Sequence, residues 1–399
     1  MKTIKLIFLS FVLCSLPFGI CYAQWVPVTN GMGNVGVGSL AYSGNNIFAG
    51  TGGQGVYLST NNGTNWNQTP LNNVDVQALA VNGNNVFAGK FLAPNHGVYV
   101  STNNGINWTQ TLINQVRSLA INGSNIFAGA STPMGVFLST NNGTNWTQTS
   151  LNYREVPSLA VKGDTIFAGT INYGVYLSTD NGTSWTQTSL NNPSVRSLAI
   201  NGNTIYAGTS NPSNGVYIST NNGTSWTQTS LNNRSVYSLA VNGNYIFAGT
   251  QNYGVYVYNG TSWEQRNEGL GNLNVNALCI INNYIFAGTG AGVYRRPLSE
   301  LVGIQPISNE IPNQFSLLQN YPNPFNPSTV ISFQLAVNSF ASLKVYDILG
   351  REVATLVNEQ LQPGTYEVDW DGSKFASGVY YYKLIAGNYI ETKKMVLIK

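Results

Sequence analysis

The chain has 399 residues, of which only 8% are charged, and its formal net charge is +3. Such a sparse and nearly balanced charge lacks the basic patches of proteins that bind nucleic acid or anionic membranes, so we expect neither partner. The hydrophobic content of 43% and the aromatic content of 12% are sufficient for a large core.

Residues 1–23 have the features of an export signal. Lys2 and Lys5 precede an apolar run at 6–20, and Cys21 and Ala23 are small residues at the positions that a signal peptidase inspects. We therefore expect cleavage before Gln24. No later run reaches the ~20 apolar residues of a membrane-spanning helix, so no transmembrane segment is predicted. Cys279 would be the one cysteine of the mature chain, and its apolar surroundings predict a buried, unreactive side chain.

After residue 24 the chain is repetitive. A Phe/Tyr-Ala-Gly motif recurs with spacings of 39 to 41 residues, its aromatic residues being Phe48, Phe87, Phe127, Phe167, Tyr206, Phe247 and Phe286. Each unit holds four short segments of strand composition separated by Gly, Asn and Ser. Four strands in about forty residues is the period of a β-propeller blade. The sequence therefore predicts an all-β, seven-bladed propeller over residues 24–297.

The two ends of the array predict a closed ring. A fourth strand led by Trp follows the first six units, whereas the seventh unit lacks one. The missing strand lies at the other end of the array, where Trp25 to Val28 precede the first unit. We therefore expect an N-terminal strand to complete the last blade.

An eight-residue sequence motif, which we call the phrase, joins the third and fourth strands of a unit. It reads STNNGTSW from Ser219 to Trp226, and near-copies start at residues 59, 101, 139 and 178. Asn-Asn-Gly tolerates the positive φ angles of a tight hairpin, and Asn side chains bond nearby backbone. A large Trp ring then offers apolar surface to the core. These properties favour a structural hairpin over a repeated ligand site.

This phrase resembles the Asp-box of sialidase-like (BNR-like) propellers. Ser178, Asp180, Gly182 and Trp185 match its pattern Ser-x-Asp-x-Gly-x-x-Trp, whereas the other copies have Asn at the Asp position. In those families the box is a structural hairpin remote from the active site, so the resemblance implies fold and not chemistry.

Function is predicted at the opposite face, where the copies differ. Two variable residues flank an unvarying Val at the start of each unit, and the loops between second and third strands also vary. Tyrosine and amide side chains around a concave channel mouth suit carbohydrate or peptide binding. The candidate ligand-binding residues are His96, Arg117, Tyr153, Arg154, Tyr173, Arg196, Arg234, Tyr237 and Tyr253.

The alternative to a binding protein is a glycan-active hydrolase. A glycosidase needs two carboxylates across the scissile bond, and Asp75 and Glu155 are the candidate pair. A sialidase also needs an arginine cluster, and the Arg-Ile-Pro element of such enzymes is absent. A single histidine and one mature cysteine are too few for a zinc site of the usual kind, and no phosphate-binding or calcium-binding motif is present. We expect no metal and no cofactor.

The composition changes after Arg296. Residues 298–313 contain no repeat and are predicted to form a linker. From residue 314 onward, alternating apolar residues and turns such as Pro363-Gly364 and Asp371-Gly372 predict a small Ig-like β-sandwich of about seven strands.

Residues 314–399 also contain sequence motifs that are more specific than an Ig-like fold. NYPNPFNPST from Asn320, VYDILGR from Val345 and the terminal KKMVLIK resemble the type A C-terminal sorting domain of the type IX secretion system. The resemblance implies two-step export from a Gram-negative cell, with the type IX machinery as a partner of residues 314–399. It places the protein outside the cell or on its surface. We expect a monomer.

Overall fold

The computed structural model describes residues 24–92, 94–112, 114–210, 214–302, 306–308, 310–373 and 375–399. The predicted signal peptide lies outside these residues. The described chain is almost entirely β-structure, with one four-residue helix, α1 (Ser299–Val302).

Residues 26–297 form seven antiparallel sheets of four strands each. The first six blades, each from its first to its fourth strand, are β2–β5 (Val37–Ser43, Asn46–Thr51, Gly55–Ser59, Asn67–Gln68), β6–β9 (Val76–Asn82, Asn85–Lys90, Gly97–Ser101, Thr109–Leu112), β10–β13 (Val116–Asn122, Asn125–Ala130, Val136–Ser139, Thr147–Gln148), β14–β17 (Ser158–Lys162, Thr165–Thr170, Gly174–Ser178, Thr186–Gln187), β18–β21 (Val195–Asn201, Thr204–Thr209, Val216–Ser219, Thr227–Gln228) and β22–β25 (Val236–Asn242, Tyr245–Thr250, Gly254–Tyr258, Trp263–Gln265). The seventh blade contains β26 (Val275–Ile281), β27 (Tyr284–Thr289), β28 (Gly292–Pro297) and β1 (Val26–Pro27).

The ring is closed by the N-terminal strand, as the sequence predicts. Strand β1 pairs with β28, and the partners are Val26 with Arg295 and Pro27 with Tyr294. The first strand of each blade lies beside the first strand of the next, and β2 also lies beside β26. The protein therefore contains a closed seven-bladed propeller whose last blade joins both ends of the array.

The Phe-Ala-Gly motif explains how neighbouring blades pack. Its Phe and Ala are buried in the blade core. Its Gly faces the Val at the start of the next blade, so closely that a Cβ on Gly208 would lie 2.7 Å from Val236 Cγ1 and 2.3 Å from Ser197 Oγ. The missing side chain is therefore what lets adjacent blades meet.

We expect Gly208→Ala to destabilise the propeller by about 1–3 kcal/mol, because the added methyl overpacks this contact. Chemical denaturation measures the effect. Gly36→Ala is the matched control, since a Cβ there meets only one atom, at an ordinary 3.6 Å. Equal stability of the two variants would contradict this account of blade packing.

The repeated hairpins form one uniform end of the ring, which we call the hairpin face. In blade 4, Ser178 Oγ accepts the Gly182 amide at 2.8 Å, and Asp180 Oδ1 accepts the Ser184 amide at 2.9 Å. Asn181 takes the positive φ of 52° that the turn requires. In four other blades an Asn replaces Asp180, and its Oδ1 likewise accepts the backbone amide four residues further on, at 2.9 Å in each case.

Each of these hairpins also touches the preceding blade. A Cβ on Gly182 would lie 2.9 Å from the Phe127 ring, and Gly63 faces Phe286 across the closure of the ring at the same distance. Trp185 Nε1 donates to the Gly182 carbonyl at 3.1 Å, within its own hairpin. The repeated hairpin therefore packs against the preceding blade as well as forming a turn.

The ionised carboxylate of Asp180 should make the stability of the blade 4 hairpin sensitive to acid. Hydrogen bonds from the Ser184 hydroxyl and amide, and from Ser178, lower the pKa of Asp180 to about 2. Because its folded pKa lies below the unfolded value, this carboxylate stabilises the fold above about pH 4 and loses that contribution as pH falls towards 2. We expect Asp180→Asn to flatten the dependence of stability on pH in this window, measured by acid titration of thermal unfolding. An unchanged pH dependence would contradict this role.

The C-terminal domain is a sandwich of two four-stranded sheets. One sheet contains, in order, β29 (Pro306–Ser308), β34 (Gly364–Asp371), β31 (Ser328–Leu335) and β30 (Ser316–Leu317). The other contains β33 (Glu352–Leu361), β32 (Ser339–Tyr346), β35 (Gly378–Ala386) and β36 (Tyr389–Leu397). Their inner faces bury a core that includes Phe325, Phe333, Tyr366, Trp370 and Tyr382.

The segment predicted as a linker carries regular structure. Leu298 and Leu301 are buried with Trp25 in the core between the last two blades, and Pro306–Ser308 pairs with β34 of the sandwich. The sandwich sheet therefore begins upstream of residue 314, where the change of sequence pattern places the boundary. A three-residue edge strand is too short to show an alternating pattern, which is why periodicity does not detect it.

Candidate functional site

The variable end of the ring is built on a repeated β-bulge. The Val at the start of each first strand is buried, so its neighbours point to the other side of the strand. In six blades the register with the second strand shifts just after this Val. The residue after the Val is thereby left out of the ladder. In blade 4 this position is Pro157, which has no amide hydrogen to leave unpaired.

The seven residues that follow the Val converge on one cavity of about 390 Å³. We call them the channel-mouth residues: Gly38, Gln77, Arg117, Pro157, Arg196, Tyr237 and Asn276. Asp75 and Gly36 also line this cavity. The positions where the repeats differ therefore meet in space, and every blade contributes one side chain or glycine to a common concave site.

Arg117 is engaged by neighbours on both sides. Its Nε lies 2.8 Å from Glu155 Oε1, and its guanidinium stacks on the Phe91 ring at 3.8 Å. Its Nη1 donates to Gln77 Oε1 at 3.5 Å. Burial lowers the pKa of Arg117, the Glu155 carboxylate opposes that effect, and the charge of Arg196 adds to it. The two arginines are therefore close enough to repel each other.

Asp75 is half-buried in the wall of the cavity. Burial raises the pKa of its carboxyl, while a hydrogen bond from Gln77 and the charges of Arg117 and Lys90 oppose the rise. Within the described residues its buried Oδ2 atom has no hydrogen-bond partner. Lys90 is itself buried, and it occupies the position where most other blades have Thr.

These groups leave one cation of the channel mouth unmatched. Lys90, Arg117 and Arg196 are positive, whereas Asp75 and Glu155 are negative. Among the described residues, Arg196 forms no ion pair within 4.0 Å, and its buried Nε has no hydrogen-bond partner. Its guanidinium lies 5.5 Å from the centre of the Tyr237 ring. The arrangement can receive an anionic group beside an aromatic surface.

The candidate carboxylates do not form an open catalytic pair. Asp75 lines the cavity, but Glu155 does not, because it is held by Arg117. A glycosidase of the usual kind needs one carboxylic acid and one free carboxylate facing the same bond. In the residues that the structure describes, no three His, Cys, Asp or Glu side chains form a group that could hold a metal ion.

The other predicted site residues lie outside this cavity. His96, Tyr153, Arg154, Tyr173, Arg234 and Tyr253 are on the same end of the ring but do not line it. Tyr153 is 67% exposed, and its φ is 58°. Cys279 is buried, and burial raises the pKa of its thiol to about 12, as expected of an unreactive thiol. Sequence reasoning missed Lys90 and Phe91. The replacement of the usual Thr by Lys at position 90 is the sequence signal that could have indicated that these two residues belong to the site.

The sorting segment is bound tightly into the sandwich. Asn320 is buried, its amide donates to the Tyr382 hydroxyl at 2.8 Å, and its Nδ2 donates to Thr329 Oγ1 at 2.9 Å. The Phe325 amide donates to the Val396 carbonyl at 2.9 Å. The Asn-Pro-rich phrase is therefore joined to the terminal strand β36. No helix in the described part of the chain is long and apolar enough to span a membrane.

Comparison with solved structures shows the propeller fold. YCF48 from Cyanidioschyzon merolae is 14% identical, with a TM-score of 0.55 over 70% of this chain and all of that one. A YCF48 bound to D1 peptide is 12% identical, with a TM-score of 0.56 over 69% of this chain and 97% of that one. An ancestral GH74 enzyme is 17% identical, with a TM-score of 0.53 over 93% of this chain and 63% of that one.

Comparison of sequences identifies the tail. A search of curated proteins finds no significant match to this chain. Residues 319–399 match the family model described as the secretion system C-terminal sorting domain. This domain directs proteins through type IX secretion. The chain is thus a propeller with a type IX sorting domain, exported to the cell surface or the extracellular space.

Proposed function

We propose that the exported propeller is a non-catalytic binding module that takes its ligand at the channel mouth. One observation carries the proposal: the seven channel-mouth residues, one from each blade, line the same cavity of about 390 Å³. A cavity of this size lies within the range of small-molecule and peptide-side-chain sites. The opposite end of the ring is occupied by nearly identical hairpins, which supports a structural role there.

The charge of the cavity indicates what its ligand carries. Of the two arginines that line the described cavity, Arg117 is paired with Glu155 whereas Arg196 forms no ion pair, and Arg117 repels it from within the same desolvated mouth. A carboxylate placed there would relieve that repulsion and would accept bidentate hydrogen bonds. Tyr237 and Asn276 add an aromatic surface and an amide. We infer a carbohydrate or peptide ligand that presents a carboxylate.

The hydrolase alternative has less support. The pairing of Glu155 with Arg117 removes one of the two acids that such chemistry needs. A propeller neighbour is described as a GH74 enzyme and another as bound to a peptide. Those likenesses concern the fold, so they do not favour either activity here.

The structural details also support the finer family assignment. We infer that the hairpins are Asp-box hairpins, since Ser178, Asp180, Gly182 and Trp185 make the bonds of one compact turn. We also propose that residues 1–23 are a cleaved signal peptide, that the sorting domain is of type A, and that the mature protein is a monomer.

A glycan and peptide array with the full mature chain tests the proposal. We expect ligands with a carboxylate to bind, and Arg196→Gln to weaken them on the order of tenfold or more through loss of a charge-assisted contact. Lys162→Gln removes the same charge at the hairpin face, where Lys162 bonds Asn203 of the next blade at 2.5 Å, and should leave binding unchanged. Equal effects of the two substitutions, or release of product from a bound glycan, would overturn the proposal.

A further inference from the structure

Two blades carry the same stack of an arginine on an exposed tyrosine. The guanidinium carbon of Arg154 lies 3.9 Å from the centre of the Tyr173 ring, and that of Arg234 lies 4.0 Å from the centre of the Tyr253 ring. The tyrosines are 44% and 45% exposed. Both stacks lie on the variable end of the ring and outside the channel-mouth cavity. We call them the rim stacks.

Each arginine is fixed by a second tyrosine and a carbonyl. In blade 4, Arg154 Nε donates to the Tyr176 hydroxyl at 3.4 Å, and Nη1 donates to the Tyr153 carbonyl at 3.1 Å. In blade 6, Arg234 makes the equivalent bonds to Tyr256 at 3.2 Å and to the Asn233 carbonyl at 2.8 Å. The two guanidinium groups are therefore held in one orientation by matching contacts.

The backbone of each exposed tyrosine is fixed as well. Tyr173 lies between Asn172 and Gly174, which have φ angles of 66° and 65°. Its carbonyl accepts a hydrogen bond from Gln187 Nε2 at 2.8 Å. In blade 6, the carbonyl of Tyr253 accepts the corresponding bond from Gln265 at 2.7 Å. Both rings are thus pre-ordered before any ligand arrives, which lowers the entropy cost of binding.

No acidic side chain of the described residues forms an ion pair with the arginines of the rim stacks. Neither Arg154 nor Arg234 has an acidic partner within 4.0 Å among the residues that the structure describes. Glu155, next to Arg154, is paired with Arg117, and the residue next to Arg234 is Ser235. The guanidinium groups use Nε and Nη1 for the contacts above, so other N–H groups remain for a ligand. Each stack therefore offers an aromatic surface and a cationic donor at one spot.

We propose that the two rim stacks form a bivalent binding surface for an acidic polysaccharide with uronate-type sugars. The apolar face of a pyranose ring fits the exposed part of each tyrosine, since Tyr gives a large, rigid contact at low entropy cost. The sugar carboxylate would then accept hydrogen bonds from the arginine. A peptide would need a pocket for an anchoring side chain, and the rim stacks are outside the cavity that could supply one.

The duplication favours a polymer over a single sugar. Blade 5 separates the stacks and has Pro193 at the position of the two arginines. Two equal sites on a rigid ring match the repeating units of a chain, and the second contact forms at a high effective concentration. A ligand too short to reach both stacks gains nothing from the duplication.

Binding of oligogalacturonates of increasing length to the full chain tests this proposal. We expect long oligomers to bind on the order of 100-fold more tightly than the dimer. Tyr173→Ala and Tyr253→Ala should each remove this gain, and the double variant should bind long oligomers no more tightly than the dimer. Tyr42→Ala is the control, because Tyr42 is 48% exposed but lies at the other end of its blade.

Three further comparisons complete the test. Arg154→Gln with Arg234→Gln retains the exposed tyrosines and should lose the preference for uronates over neutral glucans of the same length. Lys162→Gln removes a cation from the hairpin face and should leave uronate binding unchanged at every length. The ratio of long-oligomer to dimer affinity reports on the rim stacks, whereas a loss common to all lengths reports on the channel mouth, so the two failures are distinguishable. The proposal is overturned by equal binding at all lengths, by a gain with oligomer length that survives the double tyrosine variant, or by tighter binding of polyglutamate than of the oligouronates.

Discussion

Trp25→Ala is expected to lower the free energy of unfolding by about 3–5 kcal/mol. Trp25 is 1% exposed, and its indole Nε1 donates to the Arg266 carbonyl at 2.7 Å. Its own amide donates to the Glu268 carbonyl, also at 2.7 Å. The side chain packs with Leu298 and Leu301 in the core between the sixth and seventh blades. Removing it leaves a cavity at the one place where the two ends of the array meet, and chemical denaturation measures the loss.

Trp185→Ala is the matched control for this prediction. Trp185 is half-buried, and its indole bonds to Gly182 of its own hairpin. We expect a smaller loss of stability, because no ring closure depends on it.

A deletion of residues 24–29 should have the largest effect and should broaden the unfolding transition. Unchanged cooperative unfolding after that deletion, or equal losses for the two Trp variants, would contradict closure by the N-terminal strand.

Removal of residues 319–399 is expected to abolish export from the cell. This segment matches the sorting domain, and its signature phrases are folded into one sandwich core with Phe325, Trp370 and Tyr382. Without them the type IX machinery has no domain to recognise. Fractionation of a cell that has this system should find the truncated protein in the periplasm instead of on the surface or in the medium.

Residues 306–399 fused to an exported reporter are the converse experiment. This segment includes β29, which completes the sandwich sheet by pairing with β34. We expect the reporter to leave the cell. A reporter that stays in the periplasm, while the full chain is exported from the same cells, would show that the sandwich alone is insufficient.

Repetition made most of the propeller predictable. Seven copies of one pattern average out the ambiguity of a single short strand, and the position of Trp25 indicated how the ring closes. The bulge that follows this Val in six of the seven blades could not be predicted, because a bulge depends on the pairing register of two strands and not on the composition of one. The residue after the Val lines the channel-mouth cavity in all seven blades, including blade 4, where no register shift precedes it.

The charge pairing of the channel mouth was not predictable from the repeats. Asp75 and Glu155 occupy equivalent positions, so they seemed comparable as candidate acids. In the structure Arg117 from the blade between them binds Glu155, whereas Asp75 stays on the cavity wall. Which of two neighbouring blades an arginine reaches depends on the angle between blades and on its rotamer. The stacking of Arg117 on the Phe91 ring depends on the same angle and rotamer.

Hydrogen–deuterium exchange of the full chain, with and without an array-selected carboxylate ligand, tests the central claim most directly. The claim is that the hairpin face holds the ring together while the channel mouth binds. We predict ligand-induced protection in peptides that contain the channel-mouth residues, with Arg196 and Tyr237 among them, and none in the hairpins. Protection confined to the Asn-Gly hairpins would contradict the account.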